Sequence, residues 1–446
     1  MSDESNVSRR RFIGTVAVAG AVYAACSKAQ QGQDWADTAQ DGKPLTAGLI
    51  GCGGRGSGAA LNFLGAGPNL SIVALGDVFQ DRLDGARARI EKKGNKVADD
   101  KCFVGFDAYQ KVIDAGVDIV LLATPPHFRP QHFAAAIDAG RHVFMEKPLA
   151  VDPVGIRSIL DTASKAKTKN LTVVTGTQRR HQPSYKQAFE RISNGAIGDI
   201  ITARVLWDQG QLWFKERQQP WSDMEWLIRD WVNWTSMSGD HIVEQHVHNL
   251  DVAWWFLGAY PVKAVGFGGR ARRVTGDQYD FFSVDFEMPD GKHVHSMCRQ
   301  IDGCANDVSE YIVGSNGWAN LSSKDCTIFK KDGTVAWQFS AQREEAANAN
   351  PDASPKKIDP YELEHVDLVN SIRTATPFNE AENTAKSTMT AIMGREAAYT
   401  GGAVTWDDMM KSNLRLGPSE YALGPMPEFI EVEIPVPGKP RQPQQT

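Results

Sequence analysis

The chain has 446 residues, 42% hydrophobic and 23% charged, the balance of a globular protein of two or three domains rather than of a disordered or membrane-embedded one. With 48 basic against 54 acidic residues, a formal charge of -6 offers no general attraction to nucleic acid, and no basic stripe follows the first residues, so no nucleic-acid partner is expected.

In chain order, the first feature is Ser8-Arg9-Arg10-Arg11-Phe12-Ile13-Gly14 and then an apolar, Gly- and Ala-rich run to Ala25. A basic region followed by a hydrophobic region of this length, with a paired arginine before Phe, has the form of a twin-arginine export signal. The run is too short and too weakly apolar to span a bilayer, and no other stretch approaches the ~18 apolar residues a span requires. A periplasmic protein is expected, soluble or peripherally anchored, with the twin-arginine export machinery as a partner. Cys26, after Val22-Tyr23-Ala24-Ala25, has the outline of a lipoprotein cleavage site with Tyr23 where a leucine is usual, so a lipid anchor there stays open. Cys52, Cys102, Cys298, Cys304 and Cys326 form no CxxC pair and read as core thiols, Cys298 with Cys304 being the one candidate bridge. Ser27 to Lys43 reads as a flexible linker, so residues 1–44 are signal and linker, and folded structure is expected from Pro44.

Leu45 to Ile50 is a short apolar strand, followed by a glycine cluster, a helix through Ala59 to Leu64, and a second strand from Leu70 to Leu75. The alternation continues with strands at Val117 to Ala123, His142 to Glu146 and Leu171 to Thr175, and helices at Pro130 to Ala139 and Pro153 to Lys165. That pattern predicts a parallel sheet covered on both faces over residues 45–176. After Thr177 the period changes. Strands near Ile200 to Trp207, Val262 to Gly269, Phe281 to Phe286, His293 to Arg299 and Glu310 to Val313 alternate apolar with polar residues, and Asp290-Gly291 and Asp332-Gly333 are hairpin signals. Residues 177–446 are therefore expected to form an α+β domain around a mainly antiparallel sheet, with one helix from Asp240 to Leu257. Later helices are expected at Tyr361 to Arg373 and Ala381 to Thr400, the latter stopped by Gly401-Gly402. The Pro-rich end after Val436 reads as frayed. The fold class is α/β, a Rossmann parallel sheet plus an open-faced, mainly antiparallel one.

The glycine cluster, Gly51-Cys52-Gly53-Gly54-Arg55-Gly56, contains GxGxxG between a strand and a helix. Gly51 permits the tight turn, Gly53 lets a pyrophosphate approach the backbone and Gly56 lets helix and strand pack closely, while the helix N-terminus, with Gly54 and Arg55, offers N–H groups to phosphate. Asp77 ends the second strand about twenty residues on, where a carboxylate accepts hydrogen bonds from an adenosine ribose and repels a 2′-phosphate. NAD is favoured over NADP, although Arg82 lies near enough to keep NADP in view.

Ala123-Thr124-Pro125-Pro126-His127 and Gly140-Arg141-His142-Val143-Phe144-Met145-Glu146-Lys147-Pro148, with the later Gly239 to Gly258 segment, resemble the Gfo/Idh/MocA family of oxidoreductases. The resemblance covers nearly the whole chain after the signal. It implies that the Rossmann domain carries NAD or NADP, that an open-faced sheet presents a sugar or polyol to the nicotinamide, that the Pro148 bond is cis, and that the exposed sheet makes homo-oligomers. It also places Thr124, Pro125, His127, Glu146 and Lys147 beside the cofactor.

Lys147 matches the family lysine, which holds the reacting oxygen, and His248 matches the histidine that takes its proton. Glu244 stands where most members have aspartate; whether it binds substrate, tunes His248 or acts as a second acid or base stays open. On a continuous helix Glu244 and His248 would share one face. His241 and His246 read as packing residues, and His246 with His248 makes a poor metal pair because i and i+2 diverge on a helix, so no metal is expected.

Trp207, Trp213, Trp221, Trp226, Trp231 and Trp234 crowd the segment before the catalytic helix, where indole faces suit pyranose C–H faces and residues such as Arg217, Asp223 and Arg229 suit hydroxyls. About half of these tryptophans are expected in the core, with Trp213, Trp226 and Arg229 on the substrate. Arg179, Arg180 and His181 are placed at the cleft mouth, Arg179 as a substrate contact. The expected function is an exported, NAD-dependent oxidation of a ring hydroxyl of a sugar or glycoside, at C3 for a glucoside, with a tightly held cofactor. Two alternatives remain. One is a glycosidase working through transient oxidation, elimination, water addition and re-reduction; the other is a nucleotide-containing sugar sensor without turnover.

Overall fold

A computed structural model describes residues 37–339 and 359–439. The export signal, Cys26 and the first part of the linker lie outside the described residues. Six short strands, β1 (Leu45–Ile50), β2 (Leu70–Asp77), β3 (Cys102–Val104), β4 (Ile119–Leu122), β5 (His142–Met145) and β6 (Val173–Thr175), form a sheet in the order β3-β2-β1-β4-β5-β6. Every neighbouring pair is parallel. All four residues of β4 are buried, as expected of a strand with helices on both faces. One face packs Leu49, Ile72 and Phe144 against Phe63 of helix α1 (Gly54–Gly65) and Leu83 of α2 (Gln80–Glu91). The other packs Ile50, Val120 and Leu122 against α3 (Ala108–Asp114), α4 (Arg129–Asp138) and α5 (Pro153–Thr168). The switch of strand order between β1 and β4 leaves a crevice at the C-terminal strand ends.

The second sheet contains, among the described residues, β7 (Ile200–Gln209), β8 (Lys263–Gly269), β9 (Phe281–Glu287), β10 (His293–Gln300), β11 (Asp307–Gly314), β12 (Gly317–Leu321), β13 (Cys326–Lys330), β14 (Val335–Gln338) and β15 (Val404–Thr405). Its order is β14-β13-β12-β11-β7-β10-β9-β8-β15. All pairs are antiparallel except β7 with β10. The predicted hairpin glycines, Gly291 and Gly333, have φ of 79° and 85°, which any side chain would strain. After α6 (Pro183–Ser193) and α7 (Asp223–Arg229), the covering helices are α8 (His241–Glu244), α9 (Val247–Leu257), α10 (Pro360–Arg373) and α11 (Ala381–Thr400). Trp254 of α9 meets Phe286 of β9 edge-on, and the apolar core under the Rossmann sheet continues through this layer without a break. The opposite face shows Val265 and Phe267 to solvent. Gly401 closes α11 in the left-handed conformation (φ 72°), as the sequence predicts. No helix among the described residues is long and apolar enough to cross a membrane.

Four expectations are corrected. The helix expected from Asp240 to Leu257 is two helices, broken at Gln245 and His246, so Glu244 and His248 are not related by a helical turn. Cys298 and Cys304 are both free thiols: the first is buried in β10, the second exposed in the loop beyond it. Ordered chain precedes Pro44, since Ala39 is buried with its N–H bonded to the Ala66 carbonyl (2.6 Å), and the Arg373 guanidinium ties the carbonyls of Gln40, Lys43 and Pro68. The tail is pinned as far as Gly438, whose N–H reaches the Thr400 carbonyl (2.9 Å).

Residues 412–431 run back as a strap across the loops that follow β2, β3 and β4. Leu416 N–H donates to Asp152, Tyr421 lies against Phe106 and Phe128, and Phe429 is buried in a satellite core with Phe79, Met224, Leu227 and Met237.

Candidate active site

The glycine loop follows β1 directly. Gly51 has φ of 92°, and a Cβ on it would stand 2.6 Å from Thr124 N; a Cβ on Gly56 would stand 1.8 Å from Gly51 O. Gly53 and Gly54 face open space within 4 Å. Two glycines are thus required by packing, and the next two leave a hollow at the α1 N-terminus, where N–H groups have no intrahelical acceptor. Asp77 borders this hollow. Its carboxylate accepts from Cys52 N (2.6 Å) and Phe79 N (2.9 Å), one bond per oxygen, which leaves a lone pair on each for a ribose diol. Burial pushes the Asp77 carboxyl up from its ordinary value. The hollow, the helix terminus and the carboxylate fit a dinucleotide.

Lys147 leaves the end of β5 through a cis bond to Pro148. Its ammonium donates to Glu244 Oε1 (2.9 Å) and to the Glu244 carbonyl, with both side chains nearly buried. Two of its three protons are engaged, and the third is available to a reacting oxygen. Glu244 Oε2 accepts from Gln245 Nε2 (2.5 Å). His248, on the first turn of α9, is buried and stacks on Trp207 of β7 (ring centroids 5.6 Å, interplanar angle 19°). Burial, then Lys147, Arg179 and Arg55, holds its imidazole well below the ordinary pKa of histidine, so it is neutral and able to accept a proton. The cleft between the sheets therefore combines an ammonium, a carboxylate and a neutral imidazole.

Other predicted residues have different tasks. Glu146 is buried and accepts from Arg55 Nε (2.5 Å), and Arg55 also lies over the Tyr361 ring (4.7 Å) and 3.7 Å from Glu364. The Arg55 guanidinium is directed to these carboxylates, leaving its backbone to the phosphate hollow. Burial, then Glu146, holds the Glu364 carboxyl well above its ordinary range. Pro125 precedes a short 3-10 turn, and the Thr124 hydroxyl lies 3.4 Å from His132. His127 sits under the strap, bonded to the Tyr421 hydroxyl (3.0 Å) and so close to Gly417 that a Cβ there would stand 2.5 Å from its ring.

The expected cleft-mouth triplet is internal. Arg179 is 3% exposed and paired with Glu310 (2.5 Å), Arg180 forms a two-bond pair with Asp251, and His181 bonds Asp367 (2.6 Å). Arg179 is therefore no direct substrate contact. Arg229 is likewise taken: it grips Asp81 of α2 by two bonds (3.0 and 2.9 Å), bonds Glu225 and stacks over Phe79 and Trp221. It joins the tryptophan-rich segment to the loop carrying Asp77. Of the six tryptophans only Trp234 is buried; Trp226 meets Trp234 edge-on, and Trp213, 47% exposed, meets Trp231. Trp226 Nε1 donates to the Lys215 carbonyl. His246 is buried and bonded to Ser296 (2.7 Å), and His241 to Asp240 (3.0 Å), both as packing residues. The sequence reading missed Glu310, although its place on β11, in phase with the buried Ile312, marks it as a carboxylate aimed into the core.

Residues 45–175 match an oxidoreductase family with an NAD-binding Rossmann fold, and residues 185–320 match the GFO/IDH/MocA C-terminal domain. The chain is 28% identical over 233 residues to the D-glucoside 3-dehydrogenase of Escherichia coli K12, covering 51% of this chain and 58% of that one. It is 27% identical over 235 residues to a glycosyl hydrolase family 109 protein of Streptomyces coelicolor, covering 48% of each. The chain spans about half of the curated relatives it matches first (50% and 58%). In fold it is similar to the scyllo-inositol dehydrogenase of Lactobacillus casei with bound NAD(H) and scyllo-inositol, with a TM-score of 0.60 at 21% identity over 81% of this chain and 99% of that one.

Proposed function

Because this chain belongs to the Gfo/Idh/MocA family of oxidoreductases, we propose that it transfers a hydride between a ring hydroxyl of a sugar or glycoside and an NAD molecule that stays bound. The observation that carries this reading is the buried Lys147–Glu244 pair at the C-terminal end of the parallel sheet, with the buried His248 near enough to feel the Lys147 charge.

NAD bound in the hollow supplies the hydride acceptor. The free Lys147 N–H holds the substrate oxygen and stabilises charge developing on it, a contribution of about 3–4 kcal/mol for a single preorganised donor. The neutral His248 accepts the hydroxyl proton and, held weakly basic, returns it readily when the hydride flows back. Glu244 keeps the ammonium aimed and screens its charge.

For the carbon oxidised, C3 of a glucoside is the first choice, supported by the relative named D-glucoside 3-dehydrogenase. The second reading, an NAD-dependent glycosidase, draws support from the family 109 relative and from Glu244, a carboxylate placed to serve as an additional acid or base. Export through the twin-arginine route rests on residues 8–25; replacing Arg9 and Arg10 by lysine should keep the precursor in the cytoplasmic fraction. An exported chain has no steady external NAD pool, which favours a resident cofactor re-oxidised in place by a second substrate or by return of the hydride.

The test is to incubate purified protein with aryl glucosides, galactosides and inositols, following nicotinamide absorbance and aglycone release together, with Lys147→Ala and His248→Ala as controls. Reduced cofactor or a keto-sugar with the glycosidic bond intact supports the dehydrogenase. Lysine-dependent aglycone release without net reduction supports the glycosidase, and sugar binding with neither signal supports the sensor.

A further inference from the structure

We propose that Trp207 is the positioning residue for His248, an indole that aims the imidazole in place of a hydrogen-bonded carboxylate, with the buried Arg179–Glu310 pair as its foundation. The proposal rests on the reading of His248 as the proton acceptor.

A histidine that moves protons is ordinarily oriented by a third group bonded to its far ring nitrogen. Among the described residues none gives the His248 ring such a bond. The charged groups that act on it are Lys147, Arg179 and Arg55, all cations, which disfavour its protonation and can accept no ring N–H. What it has instead is a nearly parallel indole, 5.6 Å away at 19°.

That indole is itself fixed by two contacts. Its Nε1 donates to Gln209 Oε1 (2.8 Å), and the Arg179 guanidinium lies over the ring at 5.5 Å. Arg179 is held by Glu310, whose other oxygen accepts from the Tyr185 hydroxyl (2.8 Å). The same Glu310 accepts from Asn249 Nδ2 (2.8 Å), and Asn249 also bonds the Leu206 carbonyl (2.9 Å). Asn249 follows His248 and Leu206 precedes Trp207, so the two rings are carried by backbone segments bonded to each other and to one carboxylate. Arg179 and His248 both pack on the Trp207 ring, and Arg179 is anchored in turn by the buried Glu310.

The experiment uses the full chain with its nucleotide and compares Trp207→Leu with Trp207→Phe. Thermal midpoint and bound nucleotide per chain establish that each variant is folded and loaded. Trp207→Leu should slow single-turnover nicotinamide reduction on the order of 100-fold, as for a misplaced reacting group, with little change in KM, and Trp207→Phe should recover most of the rate because a ring is restored. A second readout is independent of turnover: the His248 ring resonances of histidine-labelled protein, assigned by their loss in His248→Asn, should broaden or shift in Trp207→Leu and return in Trp207→Phe. Unchanged resonances in Trp207→Leu overturn the proposal, as does a loss confined to KM, which would make the indole a sugar platform. If the wild-type protein reduces no cofactor with any sugar, the dehydrogenase reading fails by itself, and the resonances still decide whether Trp207 holds the ring.

Discussion

Alanine at Gly53 and alanine at Gly56 separate the two demands that the glycine loop satisfies. Gly53 has φ of -67° and ψ of -172°, a conformation open to any residue, and its added Cβ would meet nothing within 4 Å. Gly53→Ala should therefore leave the apo protein as stable as the wild type, or more stable by about 0.4–1 kcal/mol through the reduced freedom of the unfolded chain. The same methyl projects into the hollow where the pyrophosphate must approach the backbone, so NAD should lose contacts worth at least about 1.4 kcal/mol, a tenfold rise in Kd. Gly56→Ala drives a Cβ to 1.8 Å from Gly51 O, and that neighbour is backbone at the end of β1. The strand or α1 must move, with a loss of roughly 1–3 kcal/mol. Urea denaturation of the apo proteins and calorimetric titration with NAD measure both quantities. A Gly53→Ala protein that binds NAD as the wild type does, or a Gly56→Ala protein as stable as the wild type, would refute the assignment.

Three further outcomes are expected. Lys147→Ala should lower single-turnover reduction by about 10²–10³-fold, the effect of losing one preorganised donor, while retaining nucleotide; a loss seen only in nucleotide content would move Lys147 from the reaction to cofactor binding. Arg229→Ala should destabilise the chain by about 1–2 kcal/mol, since the Asp81 partner is 61% exposed and contributes little, while the stacking on Phe79 and Trp221 adds about 0.5–1 kcal/mol per ring. An unchanged urea midpoint would show that this link between the tryptophan segment and the Asp77 loop carries no stability. Burial lowers the pKa of His127, His132, His142, His246, His248 and His365, those of His132 and His246 to about 3, so the unfolded chain binds more protons than the native one below pH 6.5. Stability should fall as pH drops below that value, by about 1.4 kcal/mol per proton per pH unit, partly offset by Glu310, pushed up to about 7 by burial, and by Glu364 and Asp77, which burial also raises. His181, buried and raised to about 10 by Glu380 and Asp367, acts in the opposite sense and loses its contribution as pH rises from 6.5 through 10. A urea midpoint at pH 5 equal to that at pH 7 would contradict the acid-side loss.

The parts of the site that could be read from sequence are those set by local chain geometry. GxGxxG after an apolar strand, Asp77 at the next strand end and Lys147 at the end of β5 are each fixed by a turn or strand terminus within a few residues. The parts that could not be read depend on distant partners. A helical period across Asp240 to Leu257 hides a break at Gln245, where Lys147 from the other sheet takes the Glu244 carbonyl. Arg179 looks like a loop arginine until β11 supplies Glu310, and Arg229 looks free until Asp81 arrives from α2. β12, β13 and β14 are four or five residues long and lack a clean alternation of apolar with polar residues, so no period marks them. The strap has no period at all, since single bonds such as Leu416 N–H to Asp152 and Met426 N–H to Asp223 hold it.

The strap also bears on the order in which the molecule is completed. The six strands of the parallel sheet are finished by Thr175, yet the loops after β2, β3 and β4 lack one wall until residues 412–431 have been made. A nascent chain can thus present a formed glycine loop to NAD while Phe79, Phe106 and Phe128 still stand uncovered. Synthesis of residues 412–431, rather than folding of the sheet, is then the event that covers these rings.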